Sequence, residues 1–143
     1  IDKIVQHFNG NLSGYTFGIW GLSFKPKTDD IREAPSVEIV ESLLNLGAKV
    51  KAYDPMAIDN FRKLYSDTTG ISFHKTKYQV LKGSDALIIA TEWKDFWNPD
   101  FYKIKTLLKS PIIFDGRNLY NPSELEKIGF SYYAVGRGRS INK

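Results

Sequence analysis

The 143-residue chain contains no cysteine. That excludes disulfides, thiolate metal ligands and a cysteine nucleophile within it, and it fits a reducing compartment. The histidines, His7 and His74, lie far apart in sequence, so no ligand cluster and no metal site are expected. No run approaches the ~18 apolar residues that cross a bilayer, and no signal-peptide pattern opens the chain. Internal repeats and low-complexity stretches are missing. So is the G-x-G-x-x-G fingerprint of dinucleotide folds. The first residue is Ile1 rather than Met, as expected of a piece of something longer.

What is present is ordinary for a soluble globule. Hydrophobic residues make up 42% and charged residues 25%, enough for one domain with a proper core. The net charge of +4 and pI near 9.2 raise nucleic acid as a partner. The lysines are scattered, however (Lys25, Lys27, Lys49, Lys51, Lys75, Lys77, Lys103, Lys105), and no dense basic run occurs. A solvated surface is the better reading, with neither nucleic acid nor membrane as partner and a cytoplasmic setting.

Two kinds of apolar segment alternate along the chain. "YTFGIW" (Tyr15–Trp20) reads as a strand rich in aromatic and β-branched residues. Pro35 suits a first helical turn, and "SVEIVESLLNL" follows with Val37, Val40 and Leu44 on one stripe, stopped by Gly47. "AKVKAYD" alternates into a strand ending at Asp54, blocked by Pro55. A helix is expected over Ala57–Tyr65 with Ile58, Phe61 and Leu64 as its apolar markers, then a strand near Ile71–Phe73 and a helix across Lys77–Lys82. "DALIIAT" (Asp85–Thr91) and "PIIFD" (Pro111–Asp115) read as strands buried on both faces, separated by a helix over Asp100–Lys109. A short helix at Pro122–Ile128 and a strand at Phe130–Val135 complete the series. The pattern predicts an α/β, Rossmann-like three-layer sandwich, its mostly parallel sheet carrying helices on both faces. Residues Ile1–Gly14 fall outside the alternation, and "IDKIVQHF" reads as the end of a helix arriving from elsewhere.

In such sheets ligands lie outside the carboxyl ends of the strands. The stretches expected there are Gly21–Arg32, Asp54-Pro55, "TEWKDF" (Thr91–Phe96) and "DGRN" (Asp115–Asn118). Gly18-x-x-Gly21 brings backbone N–H groups toward a phosphate, or is a structural strand–turn pair; the two readings stand level. Lys25 beside that turn suits a diphosphate as a point charge. Asp54 sits where a ribose-binding acid would, but an Asx turn led by "DP" ranks ahead. In "TDDIRE", Asp29, Asp30, Arg32 and Glu33 form a solvated loop or pair so that Arg32 faces outward. Trp93, Phe96 and Trp97 read as core or interface ahead of a base-stacking surface. Arg117, just after a buried strand and a glycine, reads equally as a phosphate or base contact and as a surface salt bridge. No acid–base pair and no catalytic residue is evident.

"GLSFKPKTDDIREAPS" closely resembles the signature of the C-terminal domain of UDP-glucose/GDP-mannose-type nucleotide-sugar dehydrogenases. "AYDP", "ALIIATEWKDF", "FDGRNLY" and "GFSYYAVGRG" are similar to later family segments in the family's order, so the likeness runs from about Tyr15 to Gly138. "TEWKDF" with "FDGRNLY" favours the UDP-glucose 6-dehydrogenase branch over the GDP-mannose and UDP-N-acetylmannosamine branches. The resemblance implies that Ile1–Gly14 is the end of a central linking helix and its connection, and that residues 15–143 form a UDP-sugar-binding domain. It implies that Phe24 and Lys25 face the UDP-sugar and that Arg117 contacts its UDP part. Arg32 would reach toward NAD, held mainly by a separate N-terminal domain. The family's reaction oxidises the sugar's primary alcohol twice, with NAD, through a thiohemiacetal on a cysteine, in an enzyme expected to be a homo-oligomer. Without that cysteine or the NAD domain, this chain alone is expected to be inactive. The alternatives are a stand-alone nucleotide-binding or regulatory module and the equivalent domain of a GDP-mannose or UDP-N-acetylmannosamine dehydrogenase.

Overall fold

The computed structural model describes residues 1–134, so Val135 and the rest of the "AVGRG" segment lie outside the described residues. Among the described residues six strands form one sheet: β1 (Thr16–Trp20), β2 (Lys49–Tyr53), β3 (Ile71–Phe73), β4 (Ala86–Ile89), β5 (Ile112–Asp115) and β6 (Ser131–Ala134). Every neighbouring pair is parallel, and the order is β3-β2-β1-β4-β5-β6. The chain starts mid-sheet, winds to one edge, then returns to the centre and winds to the other. The direction reverses between β1 and β4, and the ligand crevice of such sheets opens at that point. The expected Rossmann-like α/β architecture is present.

Strand alternation sorts the core onto two faces. Phe17, Ile19, Val50, Ala52, Ile88 and Phe114 point to the face covered by α1 (Asp2–His7), α2 (Pro35–Asn45) and α3 (Ile58–Leu64). Trp20, Leu87, Ile89, Ile113 and Tyr132 point to the other, covered by α4 (Phe101–Leu107) and α5 (Pro122–Ile128). Burying a side chain such as Phe17 contributes about 1.5–3 kcal/mol, so these two layers carry most of the stability. Ile4 and Leu12 are buried in the first layer, which ties residues 1–14 to the sheet.

Local signals fix the ends of several helices. Pro35 opens α2, and Gly47, at φ +93°, follows its last turn. The Asn121 side chain accepts from the Ser123 and Glu124 N–H groups to start α5, and left-handed Gly129 ends it.

Some expectations are corrected. Residues 77–83 form successive turns rather than a helix. Leu81 N–H bonds to Tyr78 C=O and Ser84 N–H to Leu81 C=O, three residues back, while Gln79 Oε1 accepts from Lys75 and Thr76 N–H. These local bonds, each closing a turn, hold the segment out of a regular helix. The buried stripe of α2 is Ser36, Val40 and Leu43, with Val37 and Leu44 at its flanks. Leu64 is exposed, and Tyr65 takes the buried place one turn after Phe61. β2 ends at Tyr53, leaving Asp54 in the loop. Among the described residues no helix is long and apolar enough to cross a membrane.

Candidate functional site

The loop after β1 leaves the sheet under tight constraint. Gly21 has φ +100°, and a Cβ there would come within 2.6 Å of Thr91 Cβ and Oγ1 in the loop after β4. Only glycine lets the two loops pass this closely. Thr91 Oγ1 then donates to Ser23 C=O at 2.7 Å, and Ser36 Oγ, in the first turn of α2, donates to Leu22 C=O at 2.6 Å. Five N–H groups converge on the buried Asp54 carboxylate. Those of Leu22, Ser23 and the Trp93 indole reach Oδ2, and those of Met56 and Ala57 reach Oδ1. The Asx turn expected at Asp54 is present. Its second oxygen also binds the root of the β1 loop, so the carboxylate is fully engaged within the chain.

Beyond that root the loop turns outward. Phe24 N–H donates to Asp30 C=O at 3.0 Å, closing residues 24–30 into a lobe. Phe24 is exposed, and Lys25 Nζ lies 5.2 Å from its ring centroid. Arg32 faces solvent while its fork grips Asp30: Nη2 donates to Oδ2 at 2.7 Å and Nε to Oδ1 at 3.0 Å. The guanidinium holds the Asp30 carboxyl down at about 2. Of the acids expected beside Arg32, Asp30 makes the ion pair.

The loop after β5 is shaped by a second buried carboxylate. Asp115 Oδ1 accepts from Arg117 N–H at 2.8 Å, and Oδ2 accepts from Leu119 N–H at 2.7 Å and Tyr132 Oη at 2.6 Å. Gly116 N–H donates to Ile89 C=O, pinning the turn to β4. Arg117 is therefore fixed at its backbone, and its Nη2 donates to Glu92 Oε2 at 2.6 Å. It borders a cavity of about 440 Å³ at the carboxyl ends of β4 and β5, walled also by Ile4, Pro35, Ile39 and Tyr133.

The predicted residues do not share one hollow. Arg117 lines the cavity beside β5, while Arg32 lines a separate surface groove with Asp30, Asn60 and Lys63. Phe24 and Lys25 line neither. The aromatic cluster is also split. Phe96 is buried against Trp20 with centroids 5.1 Å apart, Trp93 points its N–H at Asp54, and Trp97 is exposed. Core packing, not a stacking platform, accounts for Phe96.

Sequence reasoning missed the Ser23–Thr91–Trp93 contacts and the Asp115–Tyr132 bond. The dipeptides "DP" and "DG" flagged each aspartate as a turn residue, but nothing local identified their distant partners. Burial, and the nearby Asp95 carboxylate, push Tyr53 up to about 12, and burial also raises Tyr120, so neither phenol is a base near neutral pH. Among the described residues no group of three or more histidine, aspartate and glutamate side chains is placed to hold a metal. Lys25, as a point charge, and Arg117, as a planar fork, are each chemically suited to an anion, in separate loops.

The comparisons with known proteins identify the family. The model of the UDP binding domain of the UDP-glucose/GDP-mannose dehydrogenase family matches residues 18–122. The chain is 43% identical to a UDP-glucose 6-dehydrogenase of Pseudomonas aeruginosa over 142 residues, covering 97% of this chain and 31% of that protein. The solved structure of a UDP-glucose dehydrogenase from Pyrobaculum islandicum superposes with a TM-score of 0.68 at 32% identity, over 81% of this chain and 25% of that one. That of a UDP-D-ManNAc dehydrogenase from Pyrococcus horikoshii superposes at 0.73 and 29%, over 94% and 28%. The chain spans about a third of the length of the curated relatives it matches.

Proposed function

The chain belongs to the UDP-glucose/GDP-mannose dehydrogenase family, and from that premise we propose that it is the UDP-sugar-binding domain of an NAD-dependent UDP-glucose 6-dehydrogenase. The whole enzyme would oxidise the primary alcohol of UDP-glucose twice, to UDP-glucuronate, as a cytoplasmic homo-oligomer. The nucleophilic cysteine of that reaction lies outside this chain. The branch rests on the 43% match to a UDP-glucose 6-dehydrogenase, and the domain of a UDP-N-acetylmannosamine dehydrogenase is the second reading, favoured by the Pyrococcus structure.

One observation carries the proposal. Loops rooted on the buried carboxylates Asp54 and Asp115, at the carboxyl edge of the sheet, end in Lys25 and Arg117. Phe24 supplies an exposed ring beside Lys25. Each loop is anchored at its root, which lowers the entropic cost of ordering its cation on an anionic ligand.

NAD supplies the hydride acceptor of such a reaction, and this chain's own crevice does not fit it. The acid that would bind ribose, Asp54, has both oxygens occupied by main-chain and indole N–H groups. NAD is therefore assigned to a separate domain, with the exposed Arg32 as this chain's contribution across the cleft. Arg32→Ala in the whole enzyme would then raise the KM for NAD more than that for the sugar.

The test is an NMR titration of the labelled 143-residue chain with UDP, NAD and a short DNA duplex. With one wall of the cleft absent, UDP should bind on the order of millimolar, with shifts confined to the loops of Phe24, Lys25 and Arg117. Tighter binding of NAD or of DNA would overturn the reading.

A further inference from the structure

At the opposite edge of the sheet, the amino ends of β1, β2 and β3, lies a shallow groove of about 630 Å³. Lys49, Lys51, Lys82 and Lys109 line it, with Thr16 and Ser72 between them, and no carboxylate does. The period of β2 puts Lys49 and Lys51 on one face. In register they lie opposite Thr16 and Gly18, and Lys51 also lies opposite Ser72 of β3. Lys51 Nζ donates to Lys82 C=O at 2.7 Å, which fixes one ammonium inside the groove. The floor is rigid, because Lys109 N–H donates to Ser84 C=O and Asp85 N–H to Thr16 C=O. Asp85, the nearby acid in sequence, turns its Oδ2 to Thr16 N–H.

The charge pattern is unlike that of the chain's paired cations. Arg32, Arg62, Lys77 and Arg117 each have a carboxylate within 4 Å. Among the described residues, none of the four groove lysines forms such a pair. Four like charges around one concavity repel one another and focus a positive potential into it. That repulsion is relieved by an anion.

We propose that this groove is an anion site, separate from the carboxyl edge, for a ligand carrying clustered phosphates. Lysine ammonium groups act as compact point charges, which suits phosphates free to arrange around them better than a single planar carboxylate. No aromatic side chain lines the groove, so nothing there stacks a base, and the recognised part is the phosphate cluster alone. Two sources carry that chemistry: a free inorganic polyphosphate and a surface of anionic phospholipid headgroups. The inference does not depend on the UDP assignment, since it uses none of the same residues.

The experiment titrates the 143-residue chain with inorganic triphosphate, read by amide shifts and calorimetry. In parallel, the chain is sedimented with phosphatidylglycerol and with phosphatidylcholine vesicles. Binding of triphosphate with shifts at Lys49, Lys51, Lys82 and Lys109, undisturbed by saturating UDP, supports the site and a soluble source. Sedimentation with phosphatidylglycerol alone, lost on mutation of the same lysines, supports it with a lipid source. Lys49→Gln/Lys51→Gln should weaken binding about tenfold or more, as expected for losing two charge-assisted contacts. Lys82→Glu/Lys109→Glu, at two exposed positions, gives the same reading should loss of the Lys51 bond impair folding. The remote pair Lys103→Gln/Lys127→Gln removes equal charge and should leave affinity nearly unchanged. Equal weakening by the remote pair, competition by UDP, tighter binding of a DNA duplex, or no binding of either phosphate source would each overturn the proposal.

Discussion

Glu92 and Arg117 are joined by a 2.6 Å salt bridge that links the loop after β4 to the loop after β5 at the mouth of a cavity. Both side chains are about one-third exposed, so solvent screens the pair, and the bridge is weak enough to exchange for a better anion. A diphosphate brings more charge than one carboxylate, and on the proposed reading it displaces Glu92 from the guanidinium. Glu92→Gln should therefore tighten UDP binding a few-fold, while Arg117→Ala should weaken it. Titration of each variant with UDP decides the matter. Weakening by Glu92→Gln comparable to that of Arg117→Ala would instead make Glu92 the residue that orients Arg117.

Asp54 offers a cleaner test of stability. An asparagine there keeps the shape but replaces one acceptor oxygen with an amide that turns its own N–H toward converging N–H donors. Leaving buried donors unpaired costs about 1–3 kcal/mol, more where the lost acceptor was charged. Asp54→Asn should lower the urea midpoint by a corresponding amount with an unchanged m-value. A loss below about 0.5 kcal/mol, the usual scatter of surface substitutions, would show that the carboxylate does not organise the loops.

Gly21 and Gly83 separate crowding from backbone strain. Both have positive φ, +100° and +76°. A Cβ at Gly83 meets nothing within 4 Å, whereas one at Gly21 collides with Thr91, including its backbone N at 2.7 Å. Gly83→Ala should cost about 1–2 kcal/mol, the strain alone. Gly21→Ala should cost clearly more, because Thr91 cannot yield without breaking its bond to Ser23 C=O. Thermal unfolding of the two variants compares them directly. Equal losses would mean that the β1 and β4 loops part easily.

Much of the fold is legible because its signals are local. Pro122 at the first turn and Gly129 after the last bound α5, and Pro55 keeps β2 from running past Tyr53. Buried strands such as Ala86–Ile89 announce themselves by unbroken apolar runs. The errors fall where a tertiary contact decides. Leu64 has the right spacing for a core position but faces solvent, because Tyr65 fills that place and bonds to Val37 C=O. The site is half legible for the same reason. "DP" and "DG" mark Asp54 and Asp115 as turn residues, yet their partners Trp93 and Tyr132 lie 39 and 17 residues away. Such pairings leave no periodic trace in the sequence.

The Arg32–Asp30 clamp makes a prediction about pH. In the folded chain the guanidinium donates to both carboxylate oxygens and holds the Asp30 carboxyl at about 2, below its ordinary 3.8. A depressed carboxyl stabilises the folded form through its ionised state. That contribution is complete above 3.8 and is lost as pH falls through about 2. The Arg32–Asp30 ion pair should therefore persist through mildly acid conditions and be lost only near pH 2. A carboxyl-carbon NMR titration reads the group directly. In Arg32→Ala the Asp30 transition should move up toward the ordinary value, and in Arg32→Lys only part of the way down again, since an ammonium cannot match the planar fork. An Asp30 transition that stays near 2 in Arg32→Ala would show that the depression comes from the loop backbone rather than from Arg32.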